Sequence, residues 1–290
     1  MTIRSIAEVT DAYDSGRYWT GYTRKVHSIG ITQTTDMSYL AGIPVANYYA
    51  STPLAAAVLG YNDGIYAGPP VASAGHKKYL HRITYLPPTI SIGQATFWAH
   101  DIVMYYPFVD GDGGNQTLIN SITIPRYGGE KCRIMLVSQG VGTANSFYVY
   151  ITYTNTSGVQ KISRFLLNST NAAGNCLVAS DGYGSTPASA FQVLAVSPYL
   201  ALAQGDTGVK SIDAIDIQEA VGGIFAAVIV KPLGLVSMQE RSTAPIEIDY
   251  ARDRFSLPEI EDGANIYMMG RATTFGSNAV SVAEFSFIWG

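Results

Sequence analysis

Charge is what this sequence has least of. Lys, Arg, Asp and Glu make up 14% of its 290 residues, where about 25% is usual for a soluble domain. Eighteen basic side chains stand against 22 acidic ones, a formal net charge of −4. That balance lacks the positive excess by which a nucleic-acid binder neutralises phosphates, so no nucleic-acid partner is expected. Cysteine is almost as scarce. Two, Cys132 and Cys176, cannot make a disulfide-dense scaffold. Burial as free thiols is the expected state, because cysteine behaves as a small hydrophobe, with a single disulfide as the alternative.

Of four histidines, His76 and His81 lie five apart around Lys77 and Lys78. That is a solvated basic turn rather than a zinc site, which takes three or four convergent ligands. The longest apolar run, Ala220 to Val230, contains two glycines and stops at Lys231-Pro232. It is about half the ~20 residues of a membrane helix, so no membrane partner is expected. Met1 to Glu8 holds Arg4 and Glu8 and no apolar core of a leader peptide. The nucleophile-elbow, phosphate-loop and zinc-helix motifs are missing. No catalytic, cofactor or metal residue is assigned, and a non-enzyme is expected.

What the chain does have is apolar and aromatic mass: 47% hydrophobic residues, 20 Tyr and 29 Gly. It is too apolar for disorder. A chain this long buries about 75% of its unfolded surface and needs neither metal nor disulfide to fold. A charge-poor, tyrosine-rich surface suits a protein whose faces are covered by other chains, since interfaces gain aromatics and lose Lys, Glu and Asp.

The pattern along the chain predicts an all-β fold after one short helix. Ser5-Ile6-Ala7-Glu8 has the form of a capping box, Ile6, Val9 and Tyr13 share a helical face, and Gly16 is placed to end it. Residues 1–95 then read as this helix followed by an extended arm rich in Pro, Gly and aromatics, ordered by lying on another surface. A loop-rich half of the same domain is the alternative. Residues 96–290 read as an antiparallel β-sandwich or jelly-roll-like body. Its strand candidates are Phe97 to Tyr106, Leu118 to Ile124, Cys132 to Val137, Phe147 to Tyr153 with Val159 to Leu167, Phe191 to Val196, Val209 to Ile217, Ile224 to Val230, Ile246 to Tyr250, Ile266 to Met269 and Val280 to Trp289. In the hairpin, Phe147, Val149, Ile151 and Tyr153 alternate with Tyr148, Tyr150 and Thr152, the period of a half-buried strand.

Chemistry-bearing clusters are few. Asp110 to Asn115 has the oxygen density of a calcium loop, but the twelfth position is Ser121 and the residues are those of an ordinary turn. Asp213 with Asp216, or Glu259, Glu261 and Asp262, could supply the acid and base of a glycan hydrolase. Solvated turns are the expected reading. Trp19, Trp98 and Trp289 are candidates for stacking on sugar faces, with packing expected of Trp98 and Trp289.

The stretch Gln204 to Ile212, the pair Gly222-Gly223, the run Ala226 to Leu233, the Tyr153-Thr154-Asn155 hairpin edge and the closing strand Phe285 to Gly290 resemble structural proteins of tailed bacteriophages over about residues 96–290. The resemblance implies a β-rich head decoration or cement protein, trimeric about a symmetry axis and bound to the shell through an arm. It supplies no catalytic residues. No long charged spine helix of a main shell protein is present, which favours the accessory role.

The expectations are therefore a virion protein made in the host cytoplasm and placed on the capsid surface, with the major capsid protein, other virion proteins and its own copies, as a homotrimer, for partners. The arm would touch neighbours through Tyr18, Trp19, Tyr22, Tyr48 and Tyr49. Phe287 and Trp289 would lie in an interface or the core. A carbohydrate-binding jelly-roll module of a tail or adhesin protein is the alternative.

Overall fold

The computed structural model describes residues 3–27, 34–36, 55–59, 64–71, 75–87, 95–139, 146–168, 175–179, 197–238, 244–254, 256–272 and 279–290. Among the described residues one α-helix, α1 (Ile6–Asp14), precedes sixteen strands. These are β1 (Tyr18–His27), β2 (Thr34–Asp36), β3 (Ile65–Tyr66), β4 (Lys78–Leu86), β5 (Ala95–Asp110), β6 (Asn115–Thr117), β7 (Arg133–Ser138) and β8 (Ser146–Asn155). They continue with β9 (Gln160–Asn168), β10 (Asn175–Ala179), β11 (Val209–Ile217), β12 (Ile224–Met238), β13 (Ile246–Asp249), β14 (Glu259–Ile260), β15 (Asn265–Ala272) and β16 (Ala279–Trp289). Every pairing between these strands is antiparallel. The chain is an all-β protein with one short helix.

The helix starts and stops where its residues dictate. Glu8 N–H donates to the Ser5 hydroxyl, and the Glu8 carboxylate accepts from Arg4 N–H and the Ser5 hydroxyl. At the other end Gly16 takes φ +68°, its N–H donates to Tyr13 C=O and Arg17 N–H donates to Ala12 C=O. That closes a left-handed cap that glycine adopts without steric cost. The apolar face differs from the expected one. Ile3, Val9 and Ala12 are buried against Tyr79 and Ile288, whereas Ile6 is 69% exposed.

β5 and β12 are the spine. They are 16 and 15 residues long and pair along their whole length with three register shifts. Ile224 to Val230 reads as the whole of β12 in sequence, with Lys231-Pro232 as its end. The strand instead continues to Met238, because Pro232 sits at one of the shifts, where a missing N–H does not break a regular ladder. Two cores share this spine. Val103, Met104, Tyr106, Phe225, Ala227 and Ile229 pack with the inward residues of β7, β8, β9 and β11. Phe97, Ala99, Leu233 and Val236, further along the same strands, pack with β4, β15 and β16.

On the spine's other face, β2, β15, β5, β12, β7 and β10 form a closed circuit of pairings. Trp98, Ile102, Val137, Cys176, Val228, Val230 and Met269 form a third apolar cluster there.

A second sheet runs β1–β16–β4–β13, with β14 beside β4. It crosses the 95/96 boundary: β1 and β4 come from before it, and β13, β14 and β16 from beyond it. Within the expected arm, β1 and β4 are thus strands of a sheet that the C-terminal strand holds together, while β2 and β3 pair with β15 of the larger sheet. Leu118 to Ile124 contains no named strand; β6 ends at Thr117. Leu118 is instead buried in the first core, and Ile119 makes an isolated bridge to Ala55. The expected Phe191–Val196 strand lies outside the described residues.

Candidate functional site

Among the described residues β1 is an edge strand, paired with β16 alone, Tyr18 opposite Ile288 through to His27 opposite Ala279 without a bulge. It carries the large exposed aromatics expected there. Tyr22 is 76% exposed, Tyr18 46% and Trp19 40%. Tyr18 leans on Tyr13 of α1, ring centroids 5.0 Å apart. Trp19 packs edge-on to Tyr66 at 5.5 Å and over Gly68, whose φ of +86° and missing Cβ admit the indole. Tyr48 and Tyr49 lie outside the described residues. Phe287 is fully buried in the second core, and Trp289 is half-buried beside Arg17, with its N–H donating to Arg17 C=O and its C=O accepting from Arg17 Nε.

The densest polar chemistry lies at the seam between the first two cores, where the spine's apolar positions give way to Asp101 on β5 and Lys231 opposite it on β12. Asp101 is fully buried and Arg126 nearly so. The guanidinium grips the carboxylate with two parallel bonds, Nε to Oδ2 at 2.8 Å and Nη2 to Oδ1 at 2.9 Å. Nη2 also donates to Ile102 C=O, and Asn265 N–H donates to Asp101 Oδ1. Burial pushes the Asp101 carboxyl up, and the Arg126 guanidinium and Asn265 N–H oppose it. Lys231 lies over the Tyr127 ring at 4.7 Å and donates to Glu130 C=O. This cluster is a bolt through the fold; the Asp101 carboxylate and the Arg126 guanidinium are bonded to each other and to neighbouring backbone groups.

The carboxylates singled out for acid–base work are separately engaged. Asp213 accepts from Asn120, Thr154, Gln160 and Ser211, and Asp216 from Gln218. Glu259 pairs with Lys77, Glu261 accepts from Tyr127 N–H, and Asp262 holds Lys78 and Val71 N–H. In the Asp110–Asn115 turn the carboxylate of Asp110 accepts from Asp112 N–H, and that of Asp112 from Gly222 N–H. No group of three metal-ligating side chains occurs among the described residues.

His81 Nδ1 meets the Tyr13 hydroxyl at 2.8 Å, and its Nε2 faces Asp249 at 3.4 Å. Cys132 and Cys176 are buried free thiols that burial pushes up to about 12. A cleft of about 480 Å³ opens between α1 and the segment around Leu257, with Arg4 and Glu259 in its lining.

One arrangement escaped sequence reasoning. On the outward face of β8 and β9, Arg164 lies over the Tyr148 ring at 3.9 Å and reaches Tyr150 at 5.6 Å. Asp216 of β11 is in register with Tyr150, and Ile162 beside them is 64% exposed. The alternation that marks Tyr148 and Tyr150 as outward residues is visible in sequence; their cross-strand partner, 14 to 16 positions away, is not.

No protein-family model and no curated protein matches the chain. Among solved structures, the infectious bursal disease virus VP2 subviral particle is similar at 8% identity and a TM-score of 0.19, over 94% of this chain and 80% of that one. A TM-score this low carries no argument about fold or role. No helix among the described residues is long and apolar enough to cross a membrane.

Proposed function

We propose that this chain is a non-enzymatic structural protein of a virus particle, a decoration or cement protein that bridges neighbouring shell subunits of a bacteriophage head. One observation supports it above the rest: the exposed aromatics Tyr18, Trp19 and Tyr22 stand together on one edge strand of a charge-poor β body. Burying an aromatic side chain contributes on the order of 2–3 kcal/mol. Contacts of that size, weak singly, multiply around a lattice into a stable clamp. The partners on this reading are the main shell protein and further copies of the chain, as a trimer. The test is made on heads of the virus that encodes the chain. The protein is expected in purified heads at a fixed ratio to the main shell protein, and heads lacking it are expected to release DNA at a lower temperature. Its absence from purified heads would overturn the proposal.

A second reading, a carbohydrate-binding module of a tail or adhesin, is favoured by the Tyr148–Tyr150–Arg164 face. Aromatic faces stack on sugars, and the flanking Arg164 and Asp216 offer hydrogen-bond partners for hydroxyls. Arg164 already covers one face of Tyr148, so Tyr150 is the platform. On a glycan array this reading expects binding that Tyr150→Ala abolishes; an array without signal removes it.

A further inference from the structure

Among the described residues no strand covers the free edge of β1. Trp289 N–H donates to Arg17 C=O, which sets the phase of the β1–β16 ladder. Odd-numbered residues of β1 therefore bond to β16, and Tyr18, Thr20, Tyr22, Arg24 and Val26 aim their backbone N–H and C=O groups away from the sheet. Among the described residues these outward groups have no hydrogen-bond partner. Natural edge strands are blunted by proline, bulges, shortness or inward charges. β1 is ten residues long, has no proline and no bulge, and from Tyr18 to Thr23 has no charge.

The geometry points to a second copy of this chain as the strand that completes this edge, β1 against β1, antiparallel about a two-fold axis normal to the sheet. The other end of the same sheet offers no match. β13 has four residues, and its Glu247 and Asp249 already face Arg82, Arg252 and His81. β1 matches itself. An axis through Tyr22 overlaps the strand from Tyr18 to Val26 and keeps each sheet face on its own side. Tyr22, the most exposed of the three aromatics, then meets its own copy, an aromatic cross-strand pair. Thr20 faces Arg24, Tyr18 faces Val26 and Gly21 faces Thr23, so no like charges are opposed along this overlap. Each even-numbered residue exchanges backbone bonds with another even-numbered residue, as an antiparallel ladder requires. The pairing does not depend on the particle reading: it gives the β1 aromatics to a second copy rather than to a shell subunit, any three-fold assembly must use another surface, and its test needs no virus.

Three variants of the full chain test it. Thr20→Pro removes one outward N–H and leaves the ladder to β16 intact, since proline is tolerated on the solvent side of an edge strand. Sedimentation across a wide concentration range is expected to show wild-type association and a dissociation constant raised at least about tenfold by Thr20→Pro, with the thermal unfolding midpoint retained. Tyr22→Cys places two thiols across the axis, within the Cα separation a disulfide spans. Under mild oxidation it is expected to give a covalent dimer far faster than Tyr18→Cys, whose counterpart is Val26. The native thiols do not compete, being buried. A monomeric wild type, association indifferent to Thr20→Pro, or equal cross-linking of the two cysteine variants would each overturn the pairing.

Discussion

Arg126→Met is expected to be among the most damaging single substitutions in the molecule, lowering stability by about 3–5 kcal/mol, the usual cost of removing one partner of a buried ion pair. Asp101 has no exposure, and Arg126 supplies both parallel bonds to its carboxylate. Removing the guanidinium leaves a buried anion with Asn265 N–H and the Tyr127 hydroxyl as its partners, and leaves Ile102 C=O without its donor.

The variant also has a distinctive pH dependence. Burial already pushes the Asp101 carboxyl up, and Arg126 is the main opposing influence. Without it the native state holds a proton that the unfolded chain, with an aspartate near 3.9, releases. Stability of the variant relative to wild type should therefore recover as pH falls toward that value. Chemical denaturation of the two proteins at pH 7.5 and 5 reads this directly. A deficit that is the same at both pH values would show that Asp101 does not carry the loss. Replacing both partners by apolar residues should cost less than Arg126→Met alone, because the uncompensated charge is gone.

The position of this ion pair shows why some of the structure was legible in sequence and some was not. The strands of the body were readable because each buries one face, and burial writes a period of two: Phe147, Val149, Ile151 and Tyr153 all point into one core. The helix was readable because its caps are local bonds between neighbours in sequence. The spine was read too short. A strand that passes through two cores changes its environment midway, and Lys231-Pro232 then looks like an end when it is a seam. The pairings within the first 95 residues were illegible for a related reason. β1 and β4 take partners from β16, some 200 to 270 positions away, and no local pattern records so distant a pairing. Arg164 over Tyr148 was missed because it belongs to a hairpin register.

His100 carries the other large effect. It sits on β5 one residue before Asp101, with Pro232 and Tyr267 as its register partners. Its side chain is fully buried, Tyr199 meets it edge-on at 6.0 Å, and neither ring nitrogen has a hydrogen-bond partner. Of the titratable groups near it, burial pushes the Tyr199 hydroxyl up and holds it neutral, and the charged pair Asp101–Arg126 is bonded within itself. Burial alone therefore pushes the imidazole down, to about 3.

The unfolded chain takes a proton at this residue near pH 6.5, and the folded one refuses it until about 3. Nothing is lost above 6.5. Between the two values each unit of pH removes about 1.4 kcal/mol, so acidification from 7.5 to 4.5 should cost about 2.7 kcal/mol through this one side chain. His100→Leu removes the titrating group and fills the apolar site, and its stability should fall less over the same interval by that amount. His81, which burial also pushes down, is present in both proteins and cancels in the comparison. Parallel acid losses in wild type and His100→Leu, measured by urea denaturation at the two pH values, would show that the native state accommodates the imidazolium after all. The divergence expected here would instead make one buried ring on the shared spine a principal acid-sensitive point of the fold, since β5 belongs to both cores and to the closed circuit of strands.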